Sequence, residues 1–130
     1  MNSRVLMIAS SAFFAAAGLA TTFVPDELLR ALHLPSTQPL PLLVSLLGAL
    51  YLGFAIMNWT AQGKLIGGIY ARPLSLGNFC HFMVGAITLL KYQLAYGFGG
   101  PLTVVAACYA AFALGFGSLM FGTGTPNSTR

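Results

Sequence analysis

The sequence predicts an all-α polytopic membrane protein: an up-down bundle of four transmembrane helices, with a short interfacial helix after the first. Three observations carry this. Hydrophobic residues make up 57% of the 130 positions and charged residues only 6%, against roughly 25% charged in a soluble globular domain. Four apolar runs each reach the length of about 20 residues needed to cross a hydrocarbon core of about 30 Å. The few charges stand singly at the ends of those runs. Residues 1–130 are expected to form one domain.

Six Lys/Arg against two acids give a net charge of +4. Isolated basic residues flanking apolar segments are what the positive-inside bias produces, so no nucleic-acid partner is expected.

Residues 5–24 form the first span and carry no charge. Arg4 before it and the AAAGLA run within it also resemble a signal peptide, but the rest of the chain is equally apolar, which favours a retained helix. Ser11, Ala15, Gly18 and Thr22 make a stripe of small side chains suited to close packing in lipid. The segment VPDELLRALHLP then reads as the interfacial helix, over about residues 26–33. Asp26 and Glu27 suit the positive end of its dipole. Leu28, Leu29 and Leu32 share a face, and Pro35 is expected to end the helix. Asp26 and Arg30 stand at ion-pair spacing, which on a surface is worth about 0–1 kcal/mol.

The second span covers about residues 40–60. Gly48, Tyr51, Ala55, Asn58 and Gln62 fall on one face of it, and Trp59 sits where an interfacial aromatic belongs. A turn carrying Lys64, Gly67–Gly68 and Arg72 follows, and helix is expected to resume at or after Pro73. The third span, about residues 74–95, is the least apolar. Asn78, His81, Gly85, Thr88 and Tyr92 form a stripe on it, with Gly77, His81 and Gly85 repeating every fourth residue. Lys91 can snorkel to the far interface. After the loop YGFGGP comes the fourth span, about residues 102–121, where Ala107, Ala111 and Gly115 repeat the small-residue spacing. A polar tail ends the chain. The sequence shows no convincing internal repeat. Cys80 and Cys108 read as small buried hydrophobes.

Four crossings place Arg4, Lys64, Arg72 and Arg130 on one side, and Arg30, Lys91 and both acids on the other. The expectation is a bacterial inner (plasma) membrane, with both termini cytoplasmic.

The chemistry-bearing candidates gather around the central turn: Asn58 and Gln62 at the end of one span, then Arg72, Asn78 and His81 at the start of the next. Polar residues inside a membrane are expensive unless paired or wetted, so they suggest a site for a small ligand's polar group. The alternative is that they only bond one another and hold two helices together. A quinone or lipid headgroup suits such a site. No metal is expected, because His33 and His81 fall on opposite sides. The sequons Asn58-Trp59-Thr60 and Asn127-Ser128-Thr129 read as chance matches. No span carries Asp or Glu, which counts against an ion-coupled exporter or sterol-isomerase-like chemistry. No C-x-x-C, P-loop, HExxH or Ser-His-Asp pattern occurs either.

The stretch ALYLGFAIMNWTAQGKLIGGIYARPLSLGNFCHF resembles a group of small bacterial four-helix membrane proteins that are DoxX-like in general plan. The resemblance implies a four-helix bundle, and membrane redox or quinone chemistry in some members. It implies no catalytic residue here. The expected function is that of a non-enzymatic accessory, scaffold or small-ligand-binding membrane protein. The alternatives are a DoxX-like redox-associated protein binding a quinone or lipid headgroup near His81 and, more weakly, a small transporter. The expected partners are the lipid bilayer, further copies of the chain or other membrane proteins.

Overall fold

Every long apolar run becomes a helix in the computed structural model, which describes residues 3–62 and 71–121. The order is α1 (Ser3–Phe23), α2 (Pro25–Ala31), α3 (Leu40–Ala61), α4 (Ala71–Tyr96) and α5 (Gly100–Phe121). Among the described residues, α1, α3, α4 and α5 are long and apolar enough to cross a membrane. At about 1.5 Å per residue their 21 to 26 residues span roughly 32–39 Å. Their outward faces bear large apolar side chains; α3 alone exposes Leu42, Leu43, Leu46, Leu50, Ile56 and Met57. Such faces need hydrocarbon around them, and helices pair the backbone groups between their terminal turns within themselves. The chain is a multi-pass integral membrane protein. Lys64, Gly67–Gly68, Arg130 and the second sequon lie outside the described residues.

The chain divides into two compact units, Asn2–Gly63 and Lys64–Arg130 (the latter with Met1). In the first, α1 and α3 pack antiparallel. Ser10 and Ser11 meet Asn58 and Ala55 near one end, and Thr21 and Thr22 meet Gly48 near the other. The face predicted for α3 is the one that packs: Gly48, Tyr51, Ala55 and Asn58 all contact α1. Phe14, fully buried, fills the centre and stacks on Phe54 at 5.1 Å between ring centroids, with Tyr51 at 5.8 Å. A β-carbon on Gly48 would run into both threonine hydroxyls and into the Thr22 backbone nitrogen at 2.8 Å.

Helix α2 packs against both α1 and α3 and buries Leu29. It ends at Ala31, before the predicted stop at Pro35, because the chain folds back on itself. The His33 N–H bonds the Arg30 carbonyl at 3.0 Å and the Leu34 N–H bonds that of Leu29 at 2.9 Å. This paired closure needs a left-handed residue, here His33 with φ 57°.

In the second unit, α4 and α5 pack antiparallel: Gln93 bonds Thr103 beside the turn, Tyr109 reaches His81, and Phe79 approaches Gly117 and Phe121. Helix α4 starts at Ala71, ahead of the predicted start. Pro73 falls in the first turn, where backbone N–H groups have no helical partner, so its missing donor costs nothing. Arg72 and Lys91 stand 91 − 72 = 19 positions apart on α4, roughly 28 Å of helix, close to the thickness of about 30 Å of a hydrocarbon core. The turn into α5 places Gly97, Gly99 and Gly100 at positive φ, and the Thr103 hydroxyl accepts from the Gly99 N–H at 2.9 Å.

Two predicted packing stripes need correction. On α5, Gly115 of the predicted stripe is buried but Ala107 and Ala111 are exposed, and the face against α4 is largely aromatic: Tyr109, Phe112 and Phe116. On α4, Gly77 has open space where a β-carbon would be, while Gly85 lies against the Tyr109 ring. Cys80 is exposed and not buried; it and Cys108 are free thiols.

The two hairpins are each built on the same central arrangement. In each, a fully buried phenylalanine on the leading helix (Phe14, Phe82) stacks on a phenylalanine of the returning helix (Phe54, Phe112). Each also contacts a tyrosine three residues before that partner, Tyr51 or Tyr109. Arg4, Leu6 and Phe14 correspond to Arg72, Leu74 and Phe82 in spacing, as do Tyr51, Phe54 and Ala55 to Tyr109, Phe112 and Ala113.

Candidate functional site

The polar side chains of the spans fall into two groups with different surroundings. In the first hairpin the Asn58 amide donates to the Ser10 hydroxyl at 2.9 Å, and that hydroxyl donates to the Met7 carbonyl at 3.1 Å. The Ser11 hydroxyl donates to the Ala55 carbonyl at 2.7 Å. Asn58 and Ser10 are fully buried, so Asn58 is no acceptor for glycosylation. This chain of bonds ties α1 to α3 near the end of α3. Gln62 sits just beyond it, half-buried, its backbone N–H bonding the Trp59 carbonyl at 3.4 Å.

In the second hairpin, Arg72 is exposed in the first turn of α4. Asn78, fully buried, donates from its amide to the Leu74 carbonyl at 2.9 Å. His81 is half-buried, and its Nε2 lies 3.2 Å from the Tyr109 hydroxyl. The two rings are 5.5 Å apart, inclined at 40°. Phe82 stands edge-on to both, at 5.4 Å from His81 and 5.3 Å from Tyr109, and stacks on Phe112 and Phe116 at 4.7 and 5.9 Å. The polar pair therefore rests on a wall of aromatic rings.

A neutral imidazole and a phenol carry one transferable hydrogen each. The bond runs from the phenol O–H to Nε2 or from Nε2–H to the phenol oxygen, according to the imidazole tautomer.

Sequence reasoning selected Asn58, Gln62, Arg72, Asn78 and His81. The structure assigns Asn58 and Gln62 to the first unit and Arg72, Asn78 and His81 to the second. It adds Ser10 as a partner of Asn58, Tyr109 as a partner of His81, and Ser75, a buried hydroxyl without a hydrogen-bond partner among the described residues. Tyr109 gave no sequence signal, since a tyrosine inside an apolar helix counts as one more large side chain. Among the described residues no three of His, Cys, Asp and Glu come together. Comparison with protein-family models, with curated proteins and with solved structures finds no match to this chain.

Proposed function

We propose that this is a non-enzymatic membrane protein that binds a small amphipathic molecule, whose polar end is held by His81 and Tyr109 while its apolar body lies against lipid and the aromatic side chains. The observation that carries this reading is the His81–Tyr109 hydrogen bond inside a span, on a wall of phenylalanines. A titratable side chain at membrane depth is costly, and function is the usual reason for retaining one. Arg72, exposed at the start of α4, adds a contact for an anionic headgroup. Asn58 and Gln62 take the structural role.

Solvent extraction of the gently purified protein, followed by mass spectrometry, tests this. A lipid or quinone recovered in stoichiometric amount from wild type is expected to fall at least tenfold in Tyr109→Phe. Equal recovery from both contradicts the reading. A DoxX-like redox-associated protein is the second reading, supported by the placement of a titratable imidazole beside a phenol inside a span. A recovered quinone supports it and a phospholipid does not.

For orientation, we infer a plasma-membrane location with Arg4 and Arg72 on the cytoplasmic side, supported by the opposite placement of Arg30 and Lys91 along the chain. In a cysteine-free background, Ser3→Cys and Ser36→Cys are expected to label from opposite sides of the membrane, and Phe98→Cys from the same side as Ser36→Cys. Labelling of all three from one side contradicts four crossings.

A further inference from the structure

Each hairpin serves as a control for the other. Both place a tyrosine of the returning helix beside the central phenylalanine, yet the ring is held differently: Tyr51 is inclined at 31° to Phe14, whereas Tyr109 stands at 73° to Phe82. Two positions around the tyrosine also differ. The residue before the central phenylalanine is Phe13 in the first hairpin and His81 in the second; the residue three after it is Ala17 in the first and Gly85 in the second. Phe13 and Ala17 show that this centre packs without histidine or glycine. The second hairpin departs from that pattern at the two positions that bracket Tyr109 on α4, and also carries Phe116 where the first has Asn58.

Gly85 lies one turn beyond His81 on the same face of α4. A β-carbon there would overlap Cδ1 and Cε1 of the Tyr109 ring and come within 3.6 Å of Cζ. The empty β-position is what the ring occupies, and from it the hydroxyl reaches back one turn to Nε2 of His81 at 3.2 Å. We propose that Gly85 is the positioning residue of this site: its missing side chain turns Tyr109 edge-on to Phe82 and sets its hydroxyl on the His81 imidazole. An alanine at 85 would push the ring towards the orientation of Tyr51 and break the bond, although α4 itself would gain a better helix former.

The inference rests on the reading of His81 and Tyr109 as the binding site, but its test uses no ligand. Failure to recover a bound molecule and failure of the positioning role are therefore separate results. The measurement is imidazole nitrogen NMR of the full chain in detergent, with labelled histidine, the signals assigned through a His33→Asn variant. Tyr109→Phe is expected to shift the His81 Nε2 resonance. Gly85→Ala is expected to shift it in the same direction, and Tyr109→Phe/Gly85→Ala to add nothing further. A Gly85→Ala resonance at the wild-type position, or a double variant showing the two shifts summed, overturns the proposal.

If Gly85→Ala does not fold, His81→Phe/Gly85→Ala decides, because it copies the Phe13–Ala17 pattern of the first hairpin. A folded, monodisperse double variant supports the assignment, and an unfolded one overturns it.

Discussion

Gly48→Ala is expected to loosen the α1–α3 hairpin by roughly 1–3 kcal/mol, as overpacking does, while Gly53→Ala on the same helix leaves stability unchanged or raises it. The two substitutions gain the same intrinsic helix preference, about 0.8–1 kcal/mol, so the difference between them isolates the contact. At Gly53 nothing lies within 4 Å of the added carbon; at Gly48 it meets two hydroxyls and the Thr22 backbone nitrogen. A side chain could swing aside, but a backbone atom at 2.8 Å moves only if the helix moves. In lipid the cost is felt fully, because helix association there depends on close packing and not on the escape of apolar surface from water. Thermal unfolding in detergent reads the difference. Equal melting temperatures for the two variants would show that α1 and α3 are not in contact at Gly48.

Phe82→Ala is expected to have a larger effect than any other truncation in the second hairpin. Phe82 is fully buried and touches His81, Tyr109, Phe112 and Phe116. Buried phenylalanine truncations cost about 3–5 kcal/mol in water-soluble cores. The low end applies here, since the transfer from water is absent and the lost packing remains. Phe14→Ala should cost a similar amount, because Phe14 is equally buried and stacks on Phe54. The two should part in binding: Phe82→Ala removes the wall behind His81 and Tyr109 and should release the bound molecule, and Phe14→Ala should not. Recovery of the molecule from both variants, each still folded, would detach the site from the second hairpin.

The spans were legible in the sequence because length and apolarity alone specify them, and the packing face of α3 was legible because Gly48, Ala55 and Asn58 differ visibly from the leucines around them. The packing face of α5 was not. In a helix apolar on every side, hydrophobicity does not separate a side chain that meets protein from one that meets lipid. The stripe Ala107, Ala111 and Gly115 therefore looked like the contact, although only Gly115 of the three is buried and Tyr109, Phe112 and Phe116 face α4. The same limit hid Tyr109 as the partner of His81. The like arrangement inside each hairpin was hidden for a different reason. The leading helices correspond at a shift of 82 − 14 = 68 positions and the returning helices at 112 − 54 = 58. The segment holding α2 lengthens only the first hairpin, so no single period exposes the correspondence.

Of the polar contacts, the Asn58–Ser10 bond has the character of structure: fully buried and tying α1 to α3. Bonds of this kind between membrane helices average about 0.6 kcal/mol, so its loss should cost little. The His81–Tyr109 bond joins a half-buried imidazole to a buried tyrosine, and it replaces a packing solution that works elsewhere in the same chain.

The most direct test sets these two bonds against each other in native mass spectrometry of the gently extracted protein. His81→Phe is expected to lose the bound lipid or quinone mass while the protein stays folded, and Asn58→Leu to keep that mass with a modest loss of stability. A mass retained in His81→Phe, or lost in Asn58→Leu alone, would contradict the assignment of the site to the second hairpin.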